Sequence, residues 1–197
     1  MMLVELTQIQ TEDLPIGLFK DHLRLGSGFA DDTIQDGVLE TYLRAAVAAI
    51  EARTGKALFS REFGWSLVSW RQQDEQALPI APISEITAIF LIDAAGTESS
   101  AVSSWRLEPD RHRPILAANG HCLPRIPQHG SARVEFQGGF GDWVDIPEDL
   151  KQAVLMLAAK YYENRHGVSS DGGDLPTAVA VLIEPFRVVR TIAGSRR

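Results

Sequence analysis

The sequence predicts an α+β fold. It has a helical core of two long helices with short N- and C-terminal helices, a small antiparallel β-sheet insertion, and an extended C-terminal arm. Three observations predict it. Two segments, ending at Gly55 and Gly167, repeat apolar residues with the helical period of 3.6. Between them, from Leu58 onward, the period changes to 2, which is the signature of half-buried strands. Beyond Glu184 the only charges are Arg187, Arg190, Arg196 and Arg197, so an acidic body carries a basic tail.

Each element follows from its residues. Leu3 to Ile9 alternates and suits an edge strand. Asp13-Leu14-Pro15 opens a short helix with Leu18, Phe19, His22 and Leu25 on one side, and Gly26-Ser27-Gly28 breaks it. Asp31 and Asp32 are the expected caps of the first long helix, which runs to Thr54 and stops at Gly55. Ile34, Val38, Tyr42, Ala45, Ala46 and Ala49 form its stripe, widened by Leu39, Leu43, Val47 and Ile50. Its alanines would let another helix or another subunit approach closely.

Phe63, Trp65 and Leu67 alternate with Glu62, Gly64 and Ser66 as a strand. Pro79 and Pro82 put Leu78–Ile83 at a sheet edge or in extended structure. Glu85–Asp93 predicts a strand turned by Asp93-Ala94-Ala95-Gly96, and weaker strands follow at Trp105–Glu108, Ile115–Ala117 and His121–Leu123. Ser131–Gln137 would bury Ala132, Val134 and Phe136, after which Gly138-Gly139-Phe140-Gly141 turns the chain into the second long helix. That helix has Asp145 as cap, an Asp145/Glu148 capping box, Pro147 in the first turn, and Leu150, Val154, Leu157, Ala158 and Tyr161 on one face; Arg165, His166 and Gly167 end it. A linker, 169–174, precedes a short helix from Leu175-Pro176 to about Glu184, which Pro185 ends. The divisions are thus 1–57 (N-terminal helices), 58–142 (β insertion), 143–167 (long core helix) and 168–197 (linker and arm), within one domain.

Composition narrows the function. A chain of 197 residues, 45% of them hydrophobic, can bury a sizeable core. A net charge of −7 argues against sequence-independent wrapping of nucleic acid, which needs basic surface. The single cysteine, Cys122, excludes an internal disulfide and a cysteine-based zinc site, which fits a reducing compartment. No apolar run has the length of a membrane span and the N-terminus lacks a signal-peptide pattern, so a soluble product of the bacterial cytoplasm is expected.

No constellation for catalysis stands out. His112, His121, Cys122 and His129 share a Pro/Gly-rich region, but their spacings match no compact metal motif, and loop histidines are usually solvated. Gly138–Gly141 lacks the Lys-Ser/Thr continuation of a phosphate loop, and no Gly-x-Ser-x-Gly occurs. His22 reads as a packed or hydrogen-bonded histidine. Trp65, Trp70, Trp105 and Trp143 could stack on single-stranded nucleic acid, but without interleaved basic residues they read as core and interface. The basic tail is either a frayed terminus or a peptide that orders on an acidic partner. No enzyme activity, cofactor or metal is expected.

Several segments together resemble one family. They are Lys20-Asp21-His22-Leu23-Arg24-Leu25, the alanine-rich helix ending Ile50-Glu51-Ala52-Arg53-Thr54-Gly55, Phe140-Gly141, and Ile146-Pro147-Glu148-Asp149-Leu150-Lys151-Gln152-Ala153. Tyr161-Tyr162-Glu163-Asn164-Arg165, Leu175-Pro176 and Glu184-Pro185-Phe186-Arg187 complete the set. In this order they resemble the head–tail connector (adaptor) family of long-tailed phages, closest to its gene transfer agent branch. The resemblance implies a structural virion protein of the particle's neck. It would form a ring, typically a dodecamer, under the portal protein, extend the channel for double-stranded DNA without binding it specifically, and meet a stopper or tail protein. It further implies that the C-terminal arm docks on the portal, with Pro185, Phe186, Arg187, Arg190, Arg196 and Arg197 as contacts. Tyr42, Ala45, Ala46 and Ala49 are the expected ring interface. Two other readings are a stopper or tail-completion protein of the same particle, and a small ligand-binding module with its pocket among Trp65, Trp105 and Phe136.

Overall fold

A computed structural model describes residues 1–25, 35–101, 105–164 and 175–187. Among these residues four α-helices build one core: α1 (Ile16–His22), α2 (Asp36–Thr54), α3 (Glu148–Glu163) and α4 (Thr177–Ile183). Eight strands build a second: β1 (Met2–Glu5), β2 (Arg61–Leu67), β3 (Glu75–Ala77), β4 (Ile83–Ile92), β5 (Glu98–Ser100), β6 (Trp105–Glu108), β7 (Ile115–Ala118) and β8 (Ser131–Gly138). The expected mixed fold is therefore present, but the strands form two antiparallel sheets where one was expected. One is five-stranded in the order β1-β2-β8-β4-β5, the other three-stranded in the order β3-β7-β6.

The helical core is the pairing of α2 with α3. Leu39, Leu43, Ala46, Val47 and Ile50 of α2 meet Leu150, Ala153, Val154, Leu157 and Ala158 of α3, all buried. Burying each large apolar side chain contributes roughly 1.5–3 kcal/mol. Tyr42 and Tyr162 close one side edge-to-face, with ring centroids 6.1 Å apart. Phe19 brings α1 into this cluster, while Leu18 and His22, expected on the same face, are exposed. Helix α2 ends at Gly55 in the left-handed conformation, as expected (φ 67°). Its expected caps Asp31 and Asp32, and stripe residue Ile34, lie outside the described residues, as does the 169–174 linker.

The start of α3 differs from the expectation. Asp145 does not cap it: Asp142 and Asp145 form a capping box around the short 3₁₀ turn Trp143–Asp145, and the helix begins after Pro147. The cause is local. A residue before proline is pushed out of the helical region, and Ile146 is extended (ψ 136°).

Strand β8 is the centre of the large sheet, paired with β2 on one side and β4 on the other, and it buries Ala132, Val134 and Phe136 as expected. Strand β1 is the edge, as expected, pairing Met2 with Ser66 through Glu5 with Phe63. Residues His121–Leu123, expected as a strand, are loop, whereas β3 and β5 come from polar runs with no alternation. The Asp93 turn is as expected: its Oδ1 accepts from the Ala95 and Thr97 amides, both at 2.8 Å. At the end of β8 the chain runs against Leu58–Ser60. Gly139 has φ 126°, and a Cβ there would lie 2.2 Å from the Phe59 carbonyl oxygen, so only glycine fits this handover from sheet to helix.

Candidate assembly surfaces

The two cores are joined by buried charge. Arg61, at the start of β2, is 5% exposed and lies between Glu51 of α2 (2.6 Å) and Glu5 of β1 (3.0 Å), with its guanidinium over the Phe63 ring. Glu51 Oε1 also accepts from the Leu58 amide at 2.7 Å. Burial raises the Glu51 pKa, and the Arg61 charge opposes that rise. Beside this cluster opens a cavity of about 350 Å³, bounded also by Arg44 and Ala48. Lys56, just past α2, is a second buried cation. Its Nζ donates to the Arg111 carbonyl at 2.6 Å, and desolvation lowers its pKa. Arg111 in turn stacks over Phe186, 5.2 Å from the ring centroid, so one contact chain runs from α2 through the β6–β7 connection to the C-terminal segment.

That segment is not a free arm at its root. Val179, Ile183 and Phe186 fall at i, i+4 and i+7 and are buried in the helical core. After α4 a 3₁₀ turn, Glu184–Phe186, carries Pro185 in its first turn. Of the expected docking residues, Pro185 and Arg187 are exposed, Arg187 pairs with Glu184 at 2.9 Å, and Phe186 is an anchor with its ring in the core. Arg190, Arg196 and Arg197 lie outside the described residues.

The expected ring interface on α2 is split by the fold. Ala46 has no exposed surface, because it is part of the α2–α3 core, so it cannot touch a neighbour while the chain stays folded. Tyr42 and Ala49 are half-buried, and Ala45 is exposed. The exposed residues of α2 are instead Gly37, Val38, Thr41, Ala45, Ala48, Ala52 and Arg53, so its outward face is small or uncharged except for Arg53 in the last turn. Sequence periodicity marks an apolar stripe but not which of two small-residue stripes a partner helix of the same chain will cover.

The four tryptophans do not form a platform. Trp65 is in the core, Trp143 stacks on Phe59, Trp105 packs against the sheet core, and Trp70 donates to the Pro124 carbonyl at 2.7 Å. Trp65 and Phe136 are both buried, and neither lines the cavity beside Arg61 or a larger one of about 570 Å³. That larger cavity is open to solvent and lies where β2 ends, between residues 68–73 and 122–126. Among the described residues no group of three or more His, Cys, Asp or Glu side chains could hold a metal, and no helix is long and apolar enough to cross a membrane.

The whole arrangement is similar to chains from solved gene transfer agent particles. One, from the neck of an empty particle computed with C6 symmetry, is 50% identical with a TM-score of 0.90, covering 98% of this chain and 99% of that one. A second, from the neck of a native particle computed with C12 symmetry, is 46% identical with a TM-score of 0.85 at the same coverage. A third, from the virion of a native particle, is 50% identical with a TM-score of 0.87, again over 98% and 99% of the two chains. No family model and no curated protein matches the sequence.

Proposed function

Because this chain belongs to the head–tail connector (adaptor) family, in its gene transfer agent branch, we propose that it is a non-enzymatic adaptor in the particle's neck. It forms a ring under the portal, extends the DNA channel, and joins the capsid to the tail. The observation that carries this reading is likeness at 50% identity along virtually the entire length of a neck protein. Twelvefold symmetry in a relative's neck supports a dodecameric ring. The helical core supports the adaptor over a stopper, a class dominated by β structure.

Three features of the chain serve that role. The exposed, uncharged α2 face around Ala45, with Tyr42 and Ala49 at its margin, is suited to lie beside a neighbouring subunit. The C-terminal segment is rooted by Phe186 and presents Pro185 and Arg187 outward, so that Arg190, Arg196 and Arg197 can reach an acidic portal surface. The net charge of −7 disfavours retention of duplex DNA, which can then pass through without sticking. Deleting the gene in the producing bacterium tests the reading. Electron microscopy should then show DNA-filled heads and separate tails; intact tailed particles would refute it.

A further inference from the structure

The large cavity at the end of β2 has an apolar floor and a basic rim. Trp70, Leu123 and Ile126 pack around it with Val68, which is 74% exposed. Arg71 and Arg125 stand at the rim, both exposed and neither in an ion pair among the described residues. In a chain of net charge −7, two unpaired guanidiniums around an apolar hollow call for an acidic segment with an apolar tip.

The same chain carries such a segment. Val144 is 76% exposed on the 3₁₀ turn before α3, and Asp142, Asp145, Glu148 and Asp149 around it are all exposed. Lys151 fixes the turn, its Nζ donating to the Val144 carbonyl at 3.0 Å and pairing with Glu148 at 2.9 Å. One lysine against four carboxylates leaves the knob acidic.

Knob and cavity cannot meet within one subunit. The cavity adjoins the Leu67/Ala132 end of the β2–β8 pair, and the knob follows the Arg61/Gly138 end. Seven paired residues at about 3.3 Å each separate them by roughly 20 Å. Two different complementary patches, set at opposite ends of one strand pair and unable to reach each other, produce a head-to-tail contact between copies, which closes into a ring when the rotation permits. A patch matched to itself would give a twofold dimer instead.

We propose that the Asp142–Asp149 knob of one copy seats in the Trp70/Arg71/Arg125 cavity of the next. Val144 enters the apolar hollow, and the carboxylates face the two arginines. This rests on the ring reading above and identifies one contact that closes the ring. The chain's own chemistry favours a second copy over DNA: the hollow admits a side chain, and an apolar floor offers a phosphate backbone nothing.

Cys122 makes the test direct, because it is the one cysteine of the chain, is exposed, and lines the cavity. Purified particles carrying Val144→Cys are treated with a short bismaleimide and run on a denaturing gel. The proposal predicts a ladder of covalent multimers of this chain, absent when Cys122→Ser is added. Arg71→Glu with Arg125→Glu, in otherwise unchanged chain, should cut the amount of ring recovered roughly tenfold, with the monomer still folded by circular dichroism. Particles that contain the Val144→Cys chain but give only monomers, or only dimers, overturn the proposal while leaving the neck assignment standing. A cross-link from Cys122 to DNA or to another neck protein also overturns it. Particles produced with the unchanged chain that lack it altogether overturn the neck assignment itself, and this contact with it.

Discussion

At the residue scale, the joint between the two cores depends on Arg61. Among the described residues its Nε has no hydrogen-bond partner, and its other nitrogens rely on Glu51 and Glu5. Removing Glu51 takes away the acceptor shared by the buried Arg61 guanidinium and the Leu58 amide, so Glu51→Ala should cost about 3 kcal/mol at neutral pH by denaturant titration. The variant should also change the pH dependence. Burial raises the Glu51 pKa above 4.5, so just above pH 4.5 the folded chain keeps a proton that the unfolded chain has released. Stability contributed by this group is therefore lost as pH rises from 4.5 through the raised value, and the variant lacks that decline. Equal slopes in the two proteins over this interval would contradict the account. The partners were not legible beforehand. Arg61 falls on the inward phase of the β2 alternation, two residues before Phe63, but that Glu51 and Glu5 meet it there follows from α2, β1 and β2 coming together, a tertiary fact with no local pattern.

At the element scale, legibility followed the strength of the period. Helices α2 and α3 were readable because sixteen to nineteen residues repeat one pattern, and β4 and β8 because eight to ten do. The strands β3 and β5 were not, since three-residue runs with no apolar residue beyond Ala77 carry no period and take their pairing from β7 and β4. The C-terminal segment shows a conflict between two signals. Its charge indicated a free arm, whereas the spacing of Val179, Ile183 and Phe186 indicated a docked helix, and over these residues the apolar spacing prevailed. Phe186→Ala should therefore cost about 3 kcal/mol and speed amide exchange across Thr177–Ile183, read by mass spectrometry. Unchanged exchange there would mean that α4 is held without its anchor.

At the scale of the whole molecule, the sequence indicated the neck and a ring through resemblance, and the matching particle proteins put the chain in that family. The ring surface was less legible, because an alanine stripe describes equally a helix packed within its own chain and one offered to a neighbour. Ala46 went to the first use, and Ala45 remains available for the second. The basic cavity was invisible in sequence, because Arg71 and Arg125 are far apart in the chain and only the fold brings both to one hollow; the four carboxylates of the knob fall within eight residues, where they read as helix-start groups. The most direct test of the adaptor assignment is a cryo-electron microscopy reconstruction of the neck of particles containing this chain. The account predicts density for its two sheets and paired helices, α2 against α3, repeated around the channel directly beneath the portal. Density for this chain at any other level of the particle, or as a single unrepeated copy, would contradict it.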